Sequence, residues 1–432
     1  MVSHPPEILI TTPESLNLLL SSHGGRSMLG GLATVILDEI HAVAGTKRGT
    51  HLVTAVERLV RLSGEFQRIA LSATVRPLAA VADLVAGFEV GTGPAGSSYR
   101  KRRVEVIDCP MAKHLEISVR FPPGGGPPPE QASATPAEPE AAGGTPATGT
   151  APDDELWRGL ARECRAIIAR NRSTLFFVNS RRHAEKVARF INEDAGRAIA
   201  WAHHGSLSRE MRLVVEQRLK RGELAAIVAT SSLELGIDIG ALDEVVLVGS
   251  PFTVGSAVQR LGRSGHRVGA ASRAVLFPLH GRDLVDAAVL ARCVVGGDIE
   301  EAAPVVLPLD VLAQVMVSMT VTETWRVDDL YDAVRASLPF QSLPRQQFDL
   351  VLRMLAGRYA DTRLRELEPV VAVDAISGTV SARAGAARRL YANGGTIPDR
   401  GYFRLRLADT RALLGELDEE FVWERSVGDA FV

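Results

Sequence analysis

The stretch TVILDEIH, residues 34–41, decides the fold class of this chain. Residues 34–37 form a short run without a charged side chain, and the run ends on two carboxylates, Asp38 and Glu39. Such a run is typical of a strand buried in a parallel sheet. In open parallel sheets, ligands bind at the carboxyl ends of the strands. The stretch therefore predicts an α/β fold with polar chemistry directly after this strand.

The same pattern recurs along the chain on both sides of one low-complexity segment. Apolar runs at 7–11 (EILIT) and 68–74 (RIALSAT) come before that segment, and runs at 173–180 (STLFFVNS), 225–231 (AAIVATS) and 244–251 (EVVLVGSP) come after it. Amphipathic stretches separate the runs, as in sheets whose two faces are covered by helices. We expect two parallel-sheet lobes, with Thr12 as the N-cap of a helix and Pro13 at its first position.

The low-complexity segment covers residues 122–152 and contains nine prolines, no basic residue and three acids. This composition cannot form a core, so it predicts a disordered linker. We therefore expect the first lobe at 1–121 and the second at 153–305. The helical pattern of 306–363 predicts a winged helix, and 364–432 is expected to open a further module.

Composition limits the classes of protein that this chain can represent. Apolar residues make up 46% of the chain and charged residues 23%, and the formal net charge is −2. These values are typical of a globular protein outside the membrane, and we expect a cytoplasmic one. Because there is no global basic field, contacts with a nucleic acid must come from local groups such as the arginine-rich stretch 381–411.

Two acids and two hydroxyls indicate phosphoryl chemistry in the first lobe. Asp38 can hold Mg²⁺, mostly through water, while Glu39 orients and deprotonates an attacking water. In LSAT, residues 71–74, the hydroxyls of Ser72 and Thr74 can couple this acidic motif to the opposite lobe. His41 follows the acids and strengthens the interpretation.

The second lobe carries two matching motifs. ATSSLELGID, residues 229–238, places hydroxyls at a strand end, where they bind phosphate or cap a helix. QRLGRSGHR, residues 259–267, concentrates arginines, of which one can stabilise charge on a transferred phosphoryl group. His203 and His204 are adjacent in an expected strand, so they point to opposite faces and do not share a metal ion. HHGS is then a turn whose Ser206 contacts phosphate.

These motifs resemble those of superfamily 2 DEAD/DEAH-type helicases, and most closely those of the large helicase-related (Lhr) family. The Lhr character comes from TTPESL at 11–16, DEIH, GRSGH, NGGTIPDRGYF at 393–403 and GELDEEFV at 415–422. The resemblance implies an ATP-dependent helicase with two RecA-like lobes that close on ATP and Mg²⁺. It also implies 3′-to-5′ movement on single-stranded DNA, unwinding of DNA duplexes or RNA:DNA hybrids, and a link to DNA repair.

Functional roles carry over by position in the matching motifs. Asp38, Glu39 and Arg263 match the catalytic residues, and Ser72 and Thr74 match the coupling motif. The positions that match ATP-binding motifs are Asp38, Glu39, His41, Gly236, Asp238, Arg260, Arg263 and Arg267. The positions that match contacts to the nucleic-acid backbone are Thr12, Pro13, Asn179, Arg181, Ser206, Thr230 and Ser231.

Two departures from the family pattern change what we expect of the chain. In the pattern QxxGRxxR the last position holds His266, and Arg267 comes one residue late. No GxxxxGK[ST] phosphate-binding loop occurs, and GTKRGT at 45–50 lacks its spacing. We interpret the chain as a helicase truncated at both ends, with the first lobe incomplete, and expect no ATPase activity from it alone. The alternatives are a catalytically dead nucleic-acid-binding or regulatory protein, and assembly with a separate chain that supplies the missing part.

Overall fold

The computed structural model divides the chain into two compact units. One comprises residues 1–108 and 301–432, and the other comprises residues 109–300. The structure describes residues 4–73, 75–93, 96–108, 115–123, 152–205, 207–234, 242–264, 272–358, 368–397, 402–411, 413–418 and 422. The predicted linker lies almost wholly outside these residues.

The first part of the chain alternates helices with short strands. Its helices are α1 (Pro13–Leu20), α2 (His23–Met28), α3 (Lys47–Ser63) and α4 (Leu78–Ala86), and its strands are β1 (Thr34–Leu37), β2 (Gln67–Ala70), β3 (Phe88–Gly93) and β4 (Gly96–Lys101). Strands β1 and β2 pair in parallel, and β3 and β4 form an antiparallel hairpin. The parallel pair places the residues after β1 and β2 at the same edge.

Helix α3 forms the centre of this part of the unit. The Thr46 side chain accepts a hydrogen bond from the Gly49 amide at its start, which satisfies one of the free N–H groups of the first turn. Along the helix, Val53 and Val56 contribute to one apolar cluster, and Ala55 and Leu59 contribute to another. Because α3 packs on two sides, it fixes both α1 and the β1–β2 pair.

The strand expected at residues 8–10 is absent, so that prediction is wrong. Ile8 and Ile10 have exposed fractions of 82% and 94%, and no strand is assigned there. A strand needs a neighbour for its backbone hydrogen bonds, and no described strand lies beside these residues. The helix that follows begins where the sequence predicts, with Thr12 at the N-cap and Pro13 first.

The second unit contains one six-stranded parallel sheet. Its strands are β5 (Leu115–Val119), β6 (Thr174–Val178), β7 (Ala200–His203), β8 (Ala226–Ala229), β9 (Glu244–Val248) and β10 (Ser272–Phe277), and its helices are α5 (Pro152–Arg170), α6 (Arg181–Ala195), α7 (Arg209–Lys220), α8 (Val254–Leu261) and α9 (Gly281–Gly296). The strand order is β5-β10-β9-β6-β8-β7.

Strand β6 shows why its run of apolar residues needs no polar face. Leu175 and Phe177 belong to one buried cluster, whereas Phe176 and Val178 belong to another. Alternate side chains of a strand point to opposite faces, so the sheet is covered on both sides. The predicted α/β parallel-sheet class is therefore confirmed.

Strand β5 does not lie where the predicted first lobe, 1–121, would place it. It pairs in parallel with β10, from Leu115 opposite Ser272 to Val119 opposite Leu276. It is therefore an edge strand of the second unit, although it precedes the predicted linker. Its apolar pattern cannot indicate this, because pairing depends on a partner far along the chain.

The last part of the chain returns to the first unit. Its helices are α10 (Leu309–Thr322), α11 (Val327–Val334), α12 (Arg345–Leu355) and α13 (Ala386–Ala392), and its strands are β11 (Trp325–Arg326), β12 (Val371–Asp374), β13 (Thr379–Ala382), β14 (Tyr402–Arg406) and β15 (Leu413–Asp418). Strands β11, β13 and β12 form an antiparallel sheet beside the helices, as in a winged helix. Its core includes Val371, Val380 and Ala386, beyond the predicted end at 363.

Buried polar contacts join this winged helix to helices α1 and α3. The Ser21 and Ser318 hydroxyls lie 2.5 Å apart, and the Thr54 hydroxyl donates to Ser337 Oγ at 3.2 Å. These pairs connect residues almost 300 positions apart within one unit.

None of the helices in the described part of the chain combines the length and apolar character that crossing a bilayer requires.

Candidate functional site

The two carboxylates predicted to act on phosphate lie directly after β1. Asp38 is exposed, and its Oδ1 accepts a hydrogen bond of 3.0 Å from the Glu39 amide. Glu39 has a φ of 51°, in the left-handed region that non-glycine residues rarely adopt. This backbone turn directs the Glu39 side chain toward His41. The backbone therefore aims two adjacent carboxylates in different directions.

His41 connects the acidic motif to LSAT. Its Nδ1 accepts a 3.0 Å hydrogen bond from the Ala73 amide, and its Nε2 lies 3.4 Å from Glu39 Oε2. Burial lowers the pKa of His41, and the charges of Glu39 and Asp38 partly oppose that shift. The Ser72 hydroxyl donates to the Ala73 carbonyl. A neutral imidazole thus joins the ends of two parallel strands, a contact that the prediction of an ATP-binding role for His41 did not include.

The start of α1 presents Thr12 and Pro13 at the surface of the first unit. Thr12 is exposed, and its Oγ1 accepts a weak 3.3 Å hydrogen bond from the Ser15 amide. The helix is held on α3, where Arg48 donates to both carboxylate oxygens of Glu14. The two residues are therefore positioned by a helix start that is itself fixed by an ion pair.

A buried polar network joins three motifs of the second unit. Arg260, with an exposed fraction of 5%, donates from Nε to Glu234 Oε2 at 3.3 Å and from Nη1 to Asn179 Oδ1 at 3.2 Å. Asn179 in turn donates to the Ser250 carbonyl at 2.7 Å. Burial lowers the pKa of Arg260, while the Glu234 carboxylate opposes that shift. Arg260 and Asn179 therefore use these side-chain groups for hydrogen bonds inside the second unit. The sequence motifs instead assign Arg260 to ATP and Asn179 to the nucleic-acid backbone.

Arg263 follows the end of α8 and is half-buried. One of its terminal nitrogens, Nη2, donates to the Glu234 carbonyl at 2.7 Å. Glu234 therefore holds both arginines, Arg260 through its side chain and Arg263 through its backbone. Arg181 is exposed at the first position of α6, where Ser180 is the N-cap. The side chain of Arg181 also interacts with another group of the chain.

The hydroxyls after β8 differ in how they are held. Thr230 occupies the N-cap position of a short 3₁₀ helix but makes no capping bond with its side chain, and Ser231 is exposed. Ser232 instead lies 2.9 Å from His203 Nδ1, and His203 Nε2 lies 3.3 Å from Glu216. This chain of contacts anchors the turn from the buried side and leaves the two preceding hydroxyls unused by it.

The adjacent histidines contact different helices, as the alternation of side chains in a strand predicts. His203 reaches Glu216 of α7, and His204 Nε2 lies 2.8 Å from Glu185 of α6. Across the described ranges, no group of three His, Cys, Asp or Glu side chains is arranged to hold a metal ion. Five predicted site residues lie outside the described residues: Thr74, Ser206, Gly236, Asp238 and Arg267.

Glu234 is the residue that reasoning from the sequence missed. It lies inside SLELGID, between the hydroxyls and the glycine that the motifs assign to nucleic acid and to ATP. The available signal was indirect: an arginine at a helix position with apolar neighbours becomes buried, and a buried guanidinium needs a carboxylate. The sequence offers many carboxylates, so the pairing could not be assigned without the fold.

Comparison with known proteins gives the family. Three family models match this chain: DEAD/DEAH box helicase at residues 1–81, helicase conserved C-terminal domain at 159–268, and large helicase-related protein, winged helix domain, at 292–432. The last match and the motifs around it decide the assignment. The chain belongs to the Lhr family of superfamily 2 helicases.

Several Lhr proteins are similar along the whole chain. The Lhr helicase/probable uracil glycosylase of Mycolicibacterium smegmatis is 40% identical over 99% of this chain and 28% of its own length. The ATP-dependent helicase Lhr-Core protein 2 of Thermococcus barophilus is 38% identical over 100% of this chain and 47% of its own length. The chain thus spans less than half the length of these curated relatives.

A solved structure supports the same assignment. It is that of the Mycobacterium smegmatis helicase Lhr bound to ssDNA and AMP-PNP, and it is similar with a TM-score of 0.80 and 40% identity. The likeness covers 100% of this chain and 51% of that one. The RecA-like fold and the winged helix expected from the sequence are confirmed by this neighbour and by the family models.

Proposed function

We propose that this chain is a motor portion of an Lhr-type ATP-dependent helicase. In the intact enzyme it would move 3′ to 5′ on single-stranded DNA, unwind DNA duplexes or RNA:DNA hybrids, and serve DNA repair in the cytoplasm. The single observation that carries the proposal is the likeness, over the whole chain, to an Lhr helicase that was solved with ssDNA and AMP-PNP. The direction of movement, the type of duplex and the role in repair are proposed from the resemblance to the family.

Asp38 and Glu39 would act on ATP together with Mg²⁺. Neither carboxylate pairs with a lysine or arginine among the described residues, so their oxygens remain available to a cation. This fits Mg²⁺, which is commonly bound through one or two protein carboxylates, water and substrate phosphates. Bound there, the ion would neutralise charge on the phosphate oxygens. Glu39 would orient the attacking water and accept its proton.

His41 and Arg263 would also take part in ATP hydrolysis. His41 accepts from the Ala73 amide, so a change at the acidic motif reaches LSAT through one hydrogen bond. This supports a coupling role for Ser72 and Thr74. Arg263 would supply positive charge to the phosphoryl group in transfer. We assign Gly236, Asp238, Arg260 and Arg267 to the same function from their motifs, with Arg260 acting by holding the second unit in shape.

The strand contacts would come from groups at helix starts and strand ends. Thr12, Pro13 and Arg181 lie at the starts of helices, where free amides and hydroxyls suit phosphate. Thr230 and Ser231 carry hydroxyls that the local structure does not use for capping. Asn179 and Ser206 belong to the same proposal by motif.

The experiment that tests the proposal separates strand binding from catalysis. A polypeptide of residues 1–432 should bind a fluorescent single-stranded oligonucleotide, and a Thr12→Ala, Ser231→Ala variant should bind it more weakly than an Arg353→Met control on the winged helix. ATP hydrolysis by the same polypeptide should be negligible with or without the oligonucleotide. Without loop amides and a lysine on the β and γ phosphates, the rate should fall by several orders of magnitude.

Two results would contradict these expectations. Turnover near that of intact Lhr helicases would refute the claim that these residues are inactive alone, and failure to bind any strand would refute the nucleic-acid assignment. A second candidate function, a catalytically dead nucleic-acid-binding or regulatory protein, is favoured by the absence of GxxxxGK[ST] from the sequence. Joining a strand–GxxxxGK[ST]–helix segment to residue 1 distinguishes the two, because only a helicase portion would gain strand-stimulated ATPase activity that Glu39→Gln abolishes.

A further inference from the structure

Three arginines of the first unit surround a small cavity beneath the winged helix. Arg26 of α2, Arg58 and Arg61 of α3 form this arginine cluster. The cavity has a volume of about 20 Å³. Its wall is completed by Leu20, Leu62, Met319, Glu323 and Trp325. The cavity has room for one water-sized or halide-sized particle, and not for a base or a sugar.

The charges around the cavity do not balance. Arg26 pairs with Glu323 at 3.0 Å and donates to the Thr322 hydroxyl at 2.6 Å. Arg61 lies over the Trp325 ring, 4.4 Å from its centre. In the described part of the chain, Glu323 is the single carboxylate that pairs with any member of the cluster. Three guanidinium groups therefore line the cavity with one carboxylate, and of the three only Arg58 is buried, whereas Arg61 is exposed to solvent.

Arg58 is the member that makes this imbalance costly. Its exposed fraction is 8%, and its hydrogen bonds go to Asn17 Oδ1 at 3.2 Å and to the Leu20 carbonyl at 3.3 Å. Both acceptors are neutral. Burial, and then the charge of Arg26, lower the pKa of Arg58 to about 9, and the charge of Glu323 partly opposes them. A buried guanidinium that no carboxylate contacts directly is unfavourable, so this position favours a ligand that brings a negative charge.

Water alone does not meet that requirement. A water molecule in the cavity can accept hydrogen bonds, but it leaves the excess charge in place. The Trp325 ring and the side chains of Leu62 and Met319 add apolar walls, which strengthen any electrostatic interaction inside. Guanidinium groups are also the side chains best suited to oxyanions.

We propose that the arginine cluster binds one small anion, either a free halide or a single oxygen of a phosphate group, in the cavity between α3 and the winged helix. Arg58 supplies a buried charge that no carboxylate contacts directly, and Arg26 and Arg61 supply the remaining positive field. The anion links α2 and α3 to the α10–β11 segment of the same unit. This site is independent of the helicase activity proposed above.

The test compares hydrogen exchange of the slowest α3 amides of residues 1–432 in salts of different anions at one ionic strength, because this readout reports the first unit alone. Chloride and bromide, which fit the cavity, should slow this exchange relative to gluconate, which is too large for it. At an anion concentration tenfold above its Kd, exchange should slow about tenfold. Crystals grown with bromide should show an anomalous peak within hydrogen-bonding distance of the cluster.

Two substitutions that should change the anion effect in opposite directions make the test specific. Arg58→Met keeps the volume of the side chain but removes the buried charge, so the difference between anions should disappear. Glu323→Gln removes the single carboxylate, so the difference should grow. Arg353→Met, an exposed arginine on α12, is the matched control and should behave like the parent. The Glu323→Gln result keeps the proposal testable if Arg58→Met fails to fold.

The source of the anion is distinguished by adding a saturating short single-stranded oligonucleotide in gluconate. If a strand phosphate enters the cavity, the oligonucleotide abolishes the effect of chloride, and Arg58→Met weakens strand binding. If the anion is free, the chloride effect persists with the strand bound. A parent chain indifferent to the identity of the anion, or an Arg58→Met variant that keeps the full difference, would overturn the proposal.

Discussion

Replacement of Glu234 by alanine tests whether the buried network of the second unit is held by the charge of that residue. The side chains of Arg260 and Glu234 have exposed fractions of 6% and 12%. Without Glu234, Arg260 would keep one neutral acceptor, Asn179 Oδ1 at 3.2 Å, and the face of Phe177 at 5.3 Å from the ring centre. The guanidinium would remain buried without its carboxylate.

The expected loss of stability follows from this geometry. Removing one partner of a buried ion pair costs about 3–5 kcal/mol. The Nε to Oε2 distance of 3.3 Å is long for a charged hydrogen bond, which favours the lower end of that range. We therefore expect Glu234→Ala to destabilise the second unit by about 3 kcal/mol. Glu234→Gln keeps an oxygen acceptor and should cost about half as much.

Glu244→Ala is the matched control. Glu244 is as buried as Glu234, with a side chain 4% exposed, but its partner Arg170 is 48% exposed. After the substitution, Arg170 can turn to solvent, and Asn171, which donates to Glu244 at 2.8 Å, loses one acceptor. We therefore expect a loss of about 1 kcal/mol. The difference between the two variants reports mainly the burial of the arginine that is left behind.

Hydrogen exchange measured peptide by peptide suits this chain, because it has two compact units and a single unfolding midpoint would mix them. The free energy of opening is taken from the slowest amides of β6 and β8, with amides of α3 as the reference for the first unit. The reasoning is refuted if Glu234→Ala changes that free energy by less than about 1 kcal/mol, or if Glu244→Ala costs as much.

Three further predictions concern stability. His51 has an exposed fraction of 1%, and burial, followed by the charge of Arg58 and against that of Glu14, lowers its pKa to about 4. Protonation then favours the unfolded chain, so the stability of the first unit, fully present above pH 6.5, should decline by roughly 3 kcal/mol as the pH falls to about 4. Opening free energies from hydrogen exchange of α3 amides should show this decline, and His51→Gln should flatten it. Thr12→Ala removes the N-cap of α1 and should cost about 1 kcal/mol or less, because its hydrogen bond is long; a loss above 2 kcal/mol in hydrogen exchange of α1 would contradict this. Phe176→Ala, at a fully buried position of β6, should destabilise the second unit by about 3–5 kcal/mol, and a value near zero by the same method would mean that the sheet is not covered on both faces.

The sequence predicted the fold where local pattern is sufficient. Strand β1 begins and ends where the run 34–37 indicates, and α1 begins at Pro13 after its Thr12 cap. Unbroken apolar runs such as β6 correctly indicated a sheet buried on both faces. These features depend on residues within a few positions of each other, so a short stretch contains the required information.

The candidate site was predicted in its motifs but not in its contacts. Asp38, Glu39 and Ser72 lie just after β1 and β2, where the sequence predicts them, and their roles stay predictions. The hydrogen bond of His41 to Ala73, the burial of Arg260 and the role of Glu234 were not predictable. Each depends on which of many possible partners the fold brings within hydrogen-bonding distance.

By itself, the sequence determined the class of the fold and the family, because local periodicity and specific short strings carry both. Only the tertiary structure decided that β5 joins the second sheet, that residues 301–432 share a unit with the first helices, and that three arginines meet around one cavity. The hydroxyls of Ser21 and Ser318, 297 positions apart, show the reason. Pairing of strands and compensation of buried charges depend on distance in space, which separation along the chain does not specify.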